Sequence, residues 1–312
     1  MFKVESRWQH QDKVKIEWNL GKRCNYDCSY CPSEIHDNSS PHTDYFILQD
    51  AVDKLCEIGK PIRLSFTGGE PTVHPDFERL IDYIYKKPHI SFVSVTTNGT
   101  RKASFYRNLP VSQYVFSLHF EYDYKQILDK IISLYASDDP KHVIKKDVLV
   151  HVMAHHKYMK EVRDTVNRLH FYQIPYAIRR VRWTEGDHDI FDDLRYDQND
   201  LDYIKSQTAT VMPNTIVHYN RDKDGSYTEE YHANDIIKLH LNQYKGWSCN
   251  AGLESLMINW DGDVHRATCR VGGSLGNIYH GTFNIPTEPI ICDRNFCTCA
   301  ADIPITKSSL PY

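Results

Sequence analysis

From residue 13 to residue 183 the chain alternates between two hydrophobic rhythms. Segments with apolar residues at every second position, or in short unbroken runs, predict strands. These are KVKIEWNL (13–20), IRLSFTGG (62–69), ISFVSVTTNG (90–99), YVFSLHF (114–120), VLVHVMA (148–154) and YAIRRVRW (176–183). Segments with helical spacing lie between them. TDYFILQDAVDKLCEIG (43–59) brings Ile47, Val52, Leu55 and Ile58 close to one face, with Thr43 or Asp44 as N-cap. PDFERLIDYIYKK (75–87) carries Pro75 near its first turn, where a missing N–H does no harm. DYKQILDKIISLYAS (123–137) gathers Ile127, Ile131 and Leu134, and YMKEVRDTVNRLHFY (158–172) is the last helix of the set.

Strand and helix thus recur six times at roughly 30 residues, the length of a strand with its crossover, and the last unit is incomplete. Such alternation predicts parallel strands joined by right-handed crossovers. Six units rather than eight predict an open, partial (β/α)6 TIM-like barrel of the α/β class. In such sheets the chemistry gathers at the C-terminal strand ends. The cysteine loop after the first strand, TGGEP after the second and TTNG after the third are therefore predicted to share one mouth.

Residues 184–247 are less regular, with an acidic stretch (GDHDIFDDLRYDQNDLD), a strand TIVHYN and a helix around 232–245. They read as a bridge. The acidic stretch is either a complement to a basic substrate or a solvated face. LMINWDGDVH (256–265) predicts a hairpin turning at Asp261-Gly262-Asp263. The expected division is 1–183 barrel, 184–247 bridge and 248–312 a small hairpin-containing C-terminal domain.

Composition narrows the classes. With 41% hydrophobic and 25% charged residues in 312, the chain reads as an ordinary globular protein. A net charge of −4 gives no broad attraction to nucleic acid or an anionic membrane, although Arg179, Arg180 and Arg182 cluster locally. No run approaches the ~20 apolar residues of a membrane span, and the start has no apolar secretory core. The expected compartment is the cytoplasm, where thiols stay reduced. The nine cysteines then point to metal or redox chemistry. They also segregate: Cys24, Cys28 and Cys31 near the start, and Cys249, Cys269, Cys292, Cys297 and Cys299 in the last quarter. Cys56 stands alone, on the apolar side of a predicted helix, and reads as a core residue.

CNYDCSYCP (24–32) leaves three residues between its first two cysteines and two between the next pair. Three thiolates hold three irons of a cuboidal iron–sulfur cluster and leave the fourth iron open. Zinc is the alternative, with His36 or His42 as a fourth ligand. Cys24, Cys28, Tyr30 and Cys31, with an aromatic ahead of the last cysteine, resemble the signature of radical SAM enzymes. Gly68-Gly69-Glu70-Pro71 resembles that family's GGEP motif, which the resemblance assigns to the methionine amino group of S-adenosylmethionine. Glycines let backbone approach a ligand closely, and a carboxylate pairs with an ammonium. Thr96-Thr97-Asn98-Gly99 is similar to the family's segment beside the cofactor. Ser117 and His119 stand where the family contacts ribose or carboxylate, and Arg180 is the candidate partner of the cofactor carboxylate. The resemblance covers residues 13–183. His151, His155 and His156 are read as structural.

The C-terminal cysteines, with Gly262 in a hairpin between the first two, resemble the SPASM and twitch domains that hold auxiliary 4Fe–4S clusters. Five cysteines suffice for one such cluster and a spare. Cys249 and Cys269 lead the ligand set, and which of Cys292, Cys297 and Cys299 is spare stays open. Zinc is the alternative here too.

The resemblance implies a 4Fe–4S cluster and S-adenosylmethionine in the barrel, and one auxiliary 4Fe–4S cluster. Reductive cleavage of the cofactor yields a 5′-deoxyadenosyl radical that abstracts hydrogen from a substrate carbon. It also implies an external electron donor such as flavodoxin or ferredoxin. Expected outcomes are oxidative modification of a peptide (a cross-link or a dehydrogenation) or its epimerisation, with the spare cysteine or Cys56 as hydrogen donor. About a dozen residues precede the first predicted strand, which leaves no room for a fused leader-recognition domain. Dehydrogenation of a small polar metabolite such as an aminocyclitol is the alternative. A non-catalytic iron–sulfur electron carrier is a second alternative, against which the GGEP mouth speaks. A radical methyltransferase on RNA would lack both the charge and a methyl-carrying cysteine.

Overall fold

A computed structural model describes residues 2–7, 12–33, 36–135, 147–181, 195–207, 210, 213–221 and 225–309. Its earliest strand, β1 (Lys3–Ser6), has one fully buried residue, Val4, too little pattern to register in four positions. β2 (Val14–Asn19) follows its periodicity: Val14, Ile16 and Trp18 are buried on one face while Lys15 and Glu17 project to the other. The alternation continues through α1 (Tyr45–Cys56), β3 (Ile62–Thr67), α2 (Phe77–Tyr85), β4 (Ile90–Thr97), α3 (Ala103–Asn108), β5 (Gln113–Leu118), α4 (Tyr124–Tyr135), β6 (Asp147–Ala154), α5 (Met159–Phe171) and β7 (Tyr176–Arg180). Asp44, not Thr43, caps α1, its side chain accepting from the Phe46 N–H. α3 is an addition to the prediction; only Phe105 and Tyr106 of its six residues are buried. Arg182 and Trp183 of the sixth predicted strand, and residues 136–137 of the third predicted helix, lie outside the described residues.

The bridge forms α6 (Gln198–Ser206), the hairpin β8 (Thr215–Arg221) and β9 (Gly225–Tyr231), and α7 (Ala233–Lys238). α7 ends earlier than expected because His240 turns to positive φ. Residues 186–194 of the acidic stretch lie outside the described residues; its end supplies Asp197, which caps α6. Short strands follow: β10 (Ser248–Cys249), β11 (Ser255–Ile258), β12 (Asp263–His265), β13 (Ser274–Asn277), β14 (Ile290–Ile291) and β15 (Lys307–Ser308).

Two sheets divide these strands. The larger runs β13-β12-β11-β2-β3-β4-β5-β6-β7, with β2 to β7 parallel throughout. This is the partial TIM-like barrel. The predicted hairpin is present as β11 and β12, but it extends the barrel sheet rather than standing apart. β11 lies parallel to β2, with Leu256 opposite Ile16. All four β11 residues are buried, and the pairing closes an edge of β2 that would otherwise be open. The second sheet, β14-β10-β15-β1-β8-β9, is antiparallel and draws together the start, the bridge and the end of the chain. β1, counted with the barrel by the sequence division, belongs to this sheet. Among the described residues no helix is long and apolar enough to cross a membrane.

The main core fills the space between the barrel sheet and its helices, with Trp18, Phe66, Tyr106 and Phe116 fully buried. A smaller core under the second sheet joins Val4, Val217, Ile236, Tyr244 and Ile303 to three of the C-terminal cysteines. Ile16 sits in the main core with no exposed surface, in the strand that pairs on both edges. Ile16→Ala should cost about 2–5 kcal/mol of stability and Ile16→Val about 0.5–1.5 kcal/mol, read from urea unfolding of the two variants.

Candidate functional site

The cysteine loop is held from below by backbone. Leu20 donates to Thr67 O, Gly69 to Gly21 O at 2.8 Å and Glu70 to Arg23 O at 2.9 Å, so the turn after β3 runs on as a strand-like partner of residues 20–23. That approach requires Gly68-Gly69. A Cβ on Gly69 would stand 2.3 Å from Arg23 O, and one on Gly68 2.5 Å from Gly21 O; Gly68 also has φ +121°. The glycines therefore serve contact with the cysteine loop itself, a packing role beyond the ligand contact expected from the motif.

Glu70 is almost fully buried and ties three elements together. Oε1 accepts from Thr72 N, Thr72 Oγ1 at 2.6 Å and Thr97 Oγ1 at 2.8 Å; Oε2 accepts from Asn98 N at 2.6 Å. Burial pushes its pKa up and these donors pull against it. Pro71 opens the single helical turn that Glu70 caps. Asn98 passes the restraint on, its Nδ2 donating to Asn25 Oδ1 at 2.8 Å inside the cysteine loop. A further set of contacts, absent from any motif, grips the loop's other side. Tyr122 stacks on Tyr26 with centroids 3.8 Å apart, and Glu121 accepts from Ser29 N at 2.8 Å and Ser29 Oγ. Glu121 and Tyr122 follow β5 at the same mouth, a position that only the fold makes meaningful.

The three thiols are close enough to act on one another. Burial first, and neighbouring thiolate charge next, push Cys28 up to about 12 and Cys31 up to about 11; burial also raises Cys24. Such thiols keep their protons until a metal displaces them. Among the described residues no three Cys, His, Asp or Glu side chains converge closely enough for one metal ion. A cube differs in need, since its thiolates sit on separate irons and ring a volume. Of the histidines offered as a fourth ligand, His36 lines the cavity and its Nε2 donates to Tyr26 O at 2.7 Å, and His42 packs edge-on against the His74 ring. His119 is held neutral by burial, its pKa pushed down to about 4, and its Nδ1 lies 2.5 Å from Tyr30 Oη and 3.5 Å from Cys28 Sγ. That nitrogen faces the cysteine loop.

All three cysteines open on a cavity of about 650 Å³, together with Gly68, Gly69, Glu70, Thr97, Asn98, Ser117, His119 and Arg180. The three predicted strand-end segments do share a mouth, and residues from α6 and α7 wall its far side. Cys56 does not: it lies on α1 in the outer helix layer near Asp53 and Lys87, away from the cavity, which removes it as a hydrogen donor there.

The C-terminal cysteines gather under the second sheet. Cys292 acts electrostatically on Cys249, Cys249 and Cys292 act on Cys269, and Cys269 and Cys299 act on Cys297. Cys299 is also acted on by Asp302, Glu17 and Lys15, the last two from β2. Sequence reading missed Asp302 and Lys307, both buried among these thiols, because neither carries a motif.

The sequence pattern of the radical SAM superfamily matches residues 18–146, which contain the cysteine loop, the glycine turn and the TTNG turn. The chain carries a radical SAM domain over that stretch. A GTP 3′,8-cyclase from Syntrophomonas wolfei is 34% identical over 85 residues, spanning 26% of each chain, so the likeness covers about a quarter of that relative. The Fe-coproporphyrin III synthase of Methanosarcina barkeri is 24% identical over 87% of this chain and 73% of its own. Among solved structures, anSMEcpe with bound AdoMet and Cp18Cys peptide shares the fold over 86% of this chain and 78% of its own, at a TM-score of 0.55 and 14% identity.

The glycine contact is testable without knowledge of a substrate. Gly69→Ala should sharply lower iron incorporated into the cysteine loop during anaerobic reconstitution. Gly21→Ala, whose Cβ meets nothing within 4 Å, should load as the parent does.

Proposed function

We propose that the chain cleaves S-adenosylmethionine reductively and abstracts hydrogen from a peptide carbon, leading to a net oxidation. The observation that supports this most is the constellation at the mouth: Cys24, Cys28 and Cys31 on one cavity, fixed by the Gly68-Gly69 contact and the Glu70–Asn98 tie. When bound there, a 4Fe–4S cluster and S-adenosylmethionine supply one-electron cleavage and a 5′-deoxyadenosyl radical, with electrons from a flavodoxin- or ferredoxin-type donor.

The chain's residues hold and orient. Cys24, Cys28 and Cys31 are the ligands, leaving one corner for the cofactor. Glu70 keeps the cofactor's amino end beside the loop, its Oε2 carrying a single internal donor. Ser117 and Arg180 on the cavity wall take the ribose and carboxylate. Tyr30 and His119 close the buried side and keep water off. Cys249, Cys269, Cys292 and Cys297 would hold an auxiliary cluster, which would supply an electron acceptor, with Cys299 as the spare.

A volume of about 650 Å³ lies within the ~300–1,000 Å³ range of small-ligand sites, room for the cofactor and one substrate side chain. A peptide presents such a side chain, and anSMEcpe, of like fold, has been solved with a peptide and AdoMet.

Reconstituted protein given dithionite and S-adenosylmethionine should release 5′-deoxyadenosine, detected by chromatography and mass. The Cys24→Ala/Cys28→Ala/Cys31→Ala variant should release none. An iron-loaded loop that yields no 5′-deoxyadenosine would sink the proposal.

A further inference from the structure

The C-terminal thiols enclose a lysine. Lys307, 2% exposed, lies on β15 directly across from Cys249 on β10. Its ammonium donates to three carbonyls of one turn: Asp302 O at 2.7 Å, Ile303 O at 3.1 Å and Ile305 O at 2.9 Å. The Tyr244 ring lies 5.2 Å away. All three N–H donors are thus committed to backbone, and the charge is fixed where it stands. The negative groups acting on it are Cys297, Cys249, Asp302 and Cys269. Asp302 is itself buried, and its Oδ2 has no hydrogen-bond partner among the described residues.

Burying an ammonium costs several kcal/mol unless opposite charge lies close. Carbonyl dipoles satisfy its donors but leave its charge uncompensated by an anion. Asp302 is one anion for that charge, and it is stranded with an unpartnered oxygen in the same pocket. Thiols that carry protons add none. Thiolates committed to iron would add several at once.

We propose that Lys307 is the fixed counter-charge of an iron–sulfur cluster held by these cysteines, and that its charge raises that cluster's reduction potential. The inference rests on the auxiliary-cluster reading above. Reduction adds one negative charge to the cluster, and a cation held nearby in a poorly polarisable interior stabilises the reduced form more than the oxidised one. Because the donors of Lys307 point to carbonyls, it acts as a charge and not as a hydrogen bond to sulfur. A cluster tuned upward in this way is suited to accept an electron.

The test uses the full chain with Cys24, Cys28 and Cys31 replaced by alanine, so that only the C-terminal site reports. Its midpoint potential is read by electron paramagnetic resonance during redox titration, alongside iron and sulfide content. Lys307→Met and Lys307→Gln should both lower the potential, and Lys307→Arg should keep it near the parent. Glutamine retains donors for the carbonyls, so a lysine acting only as a strut would leave its potential unmoved. No iron in the triple-alanine parent would overturn the auxiliary cluster itself. Iron present with unchanged potential in the neutral variants would overturn the role of Lys307 and leave the cluster standing. If both neutral variants lose iron while arginine keeps it, charge is what retains the cluster, which supports the proposal. If arginine loses it too, Lys307 is a structural strut and the proposal fails.

Discussion

The Glu70 carboxylate is the tie on which the mouth depends. It sits where β3 ends, caps the turn that follows, and reaches across to Thr97 and the Asn98 N–H at the end of β4. A buried carboxylate is costly unless its oxygens are occupied. Four donors occupy these, and the arrangement works only if both strand ends and the glycine turn are in register. Losing one such partner from a buried acceptor costs about 1–3 kcal/mol. Through Asn98 and the backbone of Gly69 and Glu70 the tie reaches residues 21–25, so the cysteine loop takes its position from the barrel and not from its own turns.

β2 is the spine that relates this loop to the second thiol group. Its helix side, Val14, Ile16 and Trp18, anchors the core, and its C-terminal end leads into Cys24. The opposite face points Lys15 and Glu17 toward the C-terminal segment, where Lys15 Nζ donates to Ala301 O and both side chains act on Cys299. The parallel pairing of β11 on the free edge of β2 fixes the chain leaving Cys249 to the same strand. One strand thereby sets the mutual position of two sites separated by more than two hundred residues of chain.

Much of this was legible because local chemistry and periodicity agreed. The six parallel strands showed as apolar runs, since both faces of each are largely covered, and the three strand-end segments fell where such sheets place function. The cysteine spacing carried its chemistry in eight residues. What stayed hidden depends on distant partners. β1 has one buried residue and exists because β8 and β15 flank it. The β11–β12 hairpin was visible, but nothing local says that its outer edge will meet β2. The backbone contact of Gly68 and Gly69 was hidden, because the carbonyls they approach, Gly21 and Arg23, lie over forty residues away. Glu121, Tyr122, Asp302 and Lys307 belong to no pattern and gain meaning only when folding sets them against sulfur.

The two thiol groups differ in the charges around them. The outside charges that act on Cys24, Cys28 and Cys31 are Glu70, Glu121 and Asp27, all negative, and His119 beside Cys28 is held neutral. On Cys249 and Cys297 the leading charge is the ammonium of Lys307, while Asp302 leads on Cys269 and on Cys299, where Lys15 opposes it. Anions beside a cluster disfavour adding an electron and a cation favours it, so the same inorganic cube would be the stronger reductant at the mouth and the better acceptor under the second sheet. An enzyme that cleaves a sulfonium needs the first property where its cofactor docks. One that ends in oxidation needs the second wherever the substrate's electron leaves. Fixed side-chain charges supply the contrast: three carboxylates at the mouth, and under the second sheet two lysines set against Asp302 and Glu17.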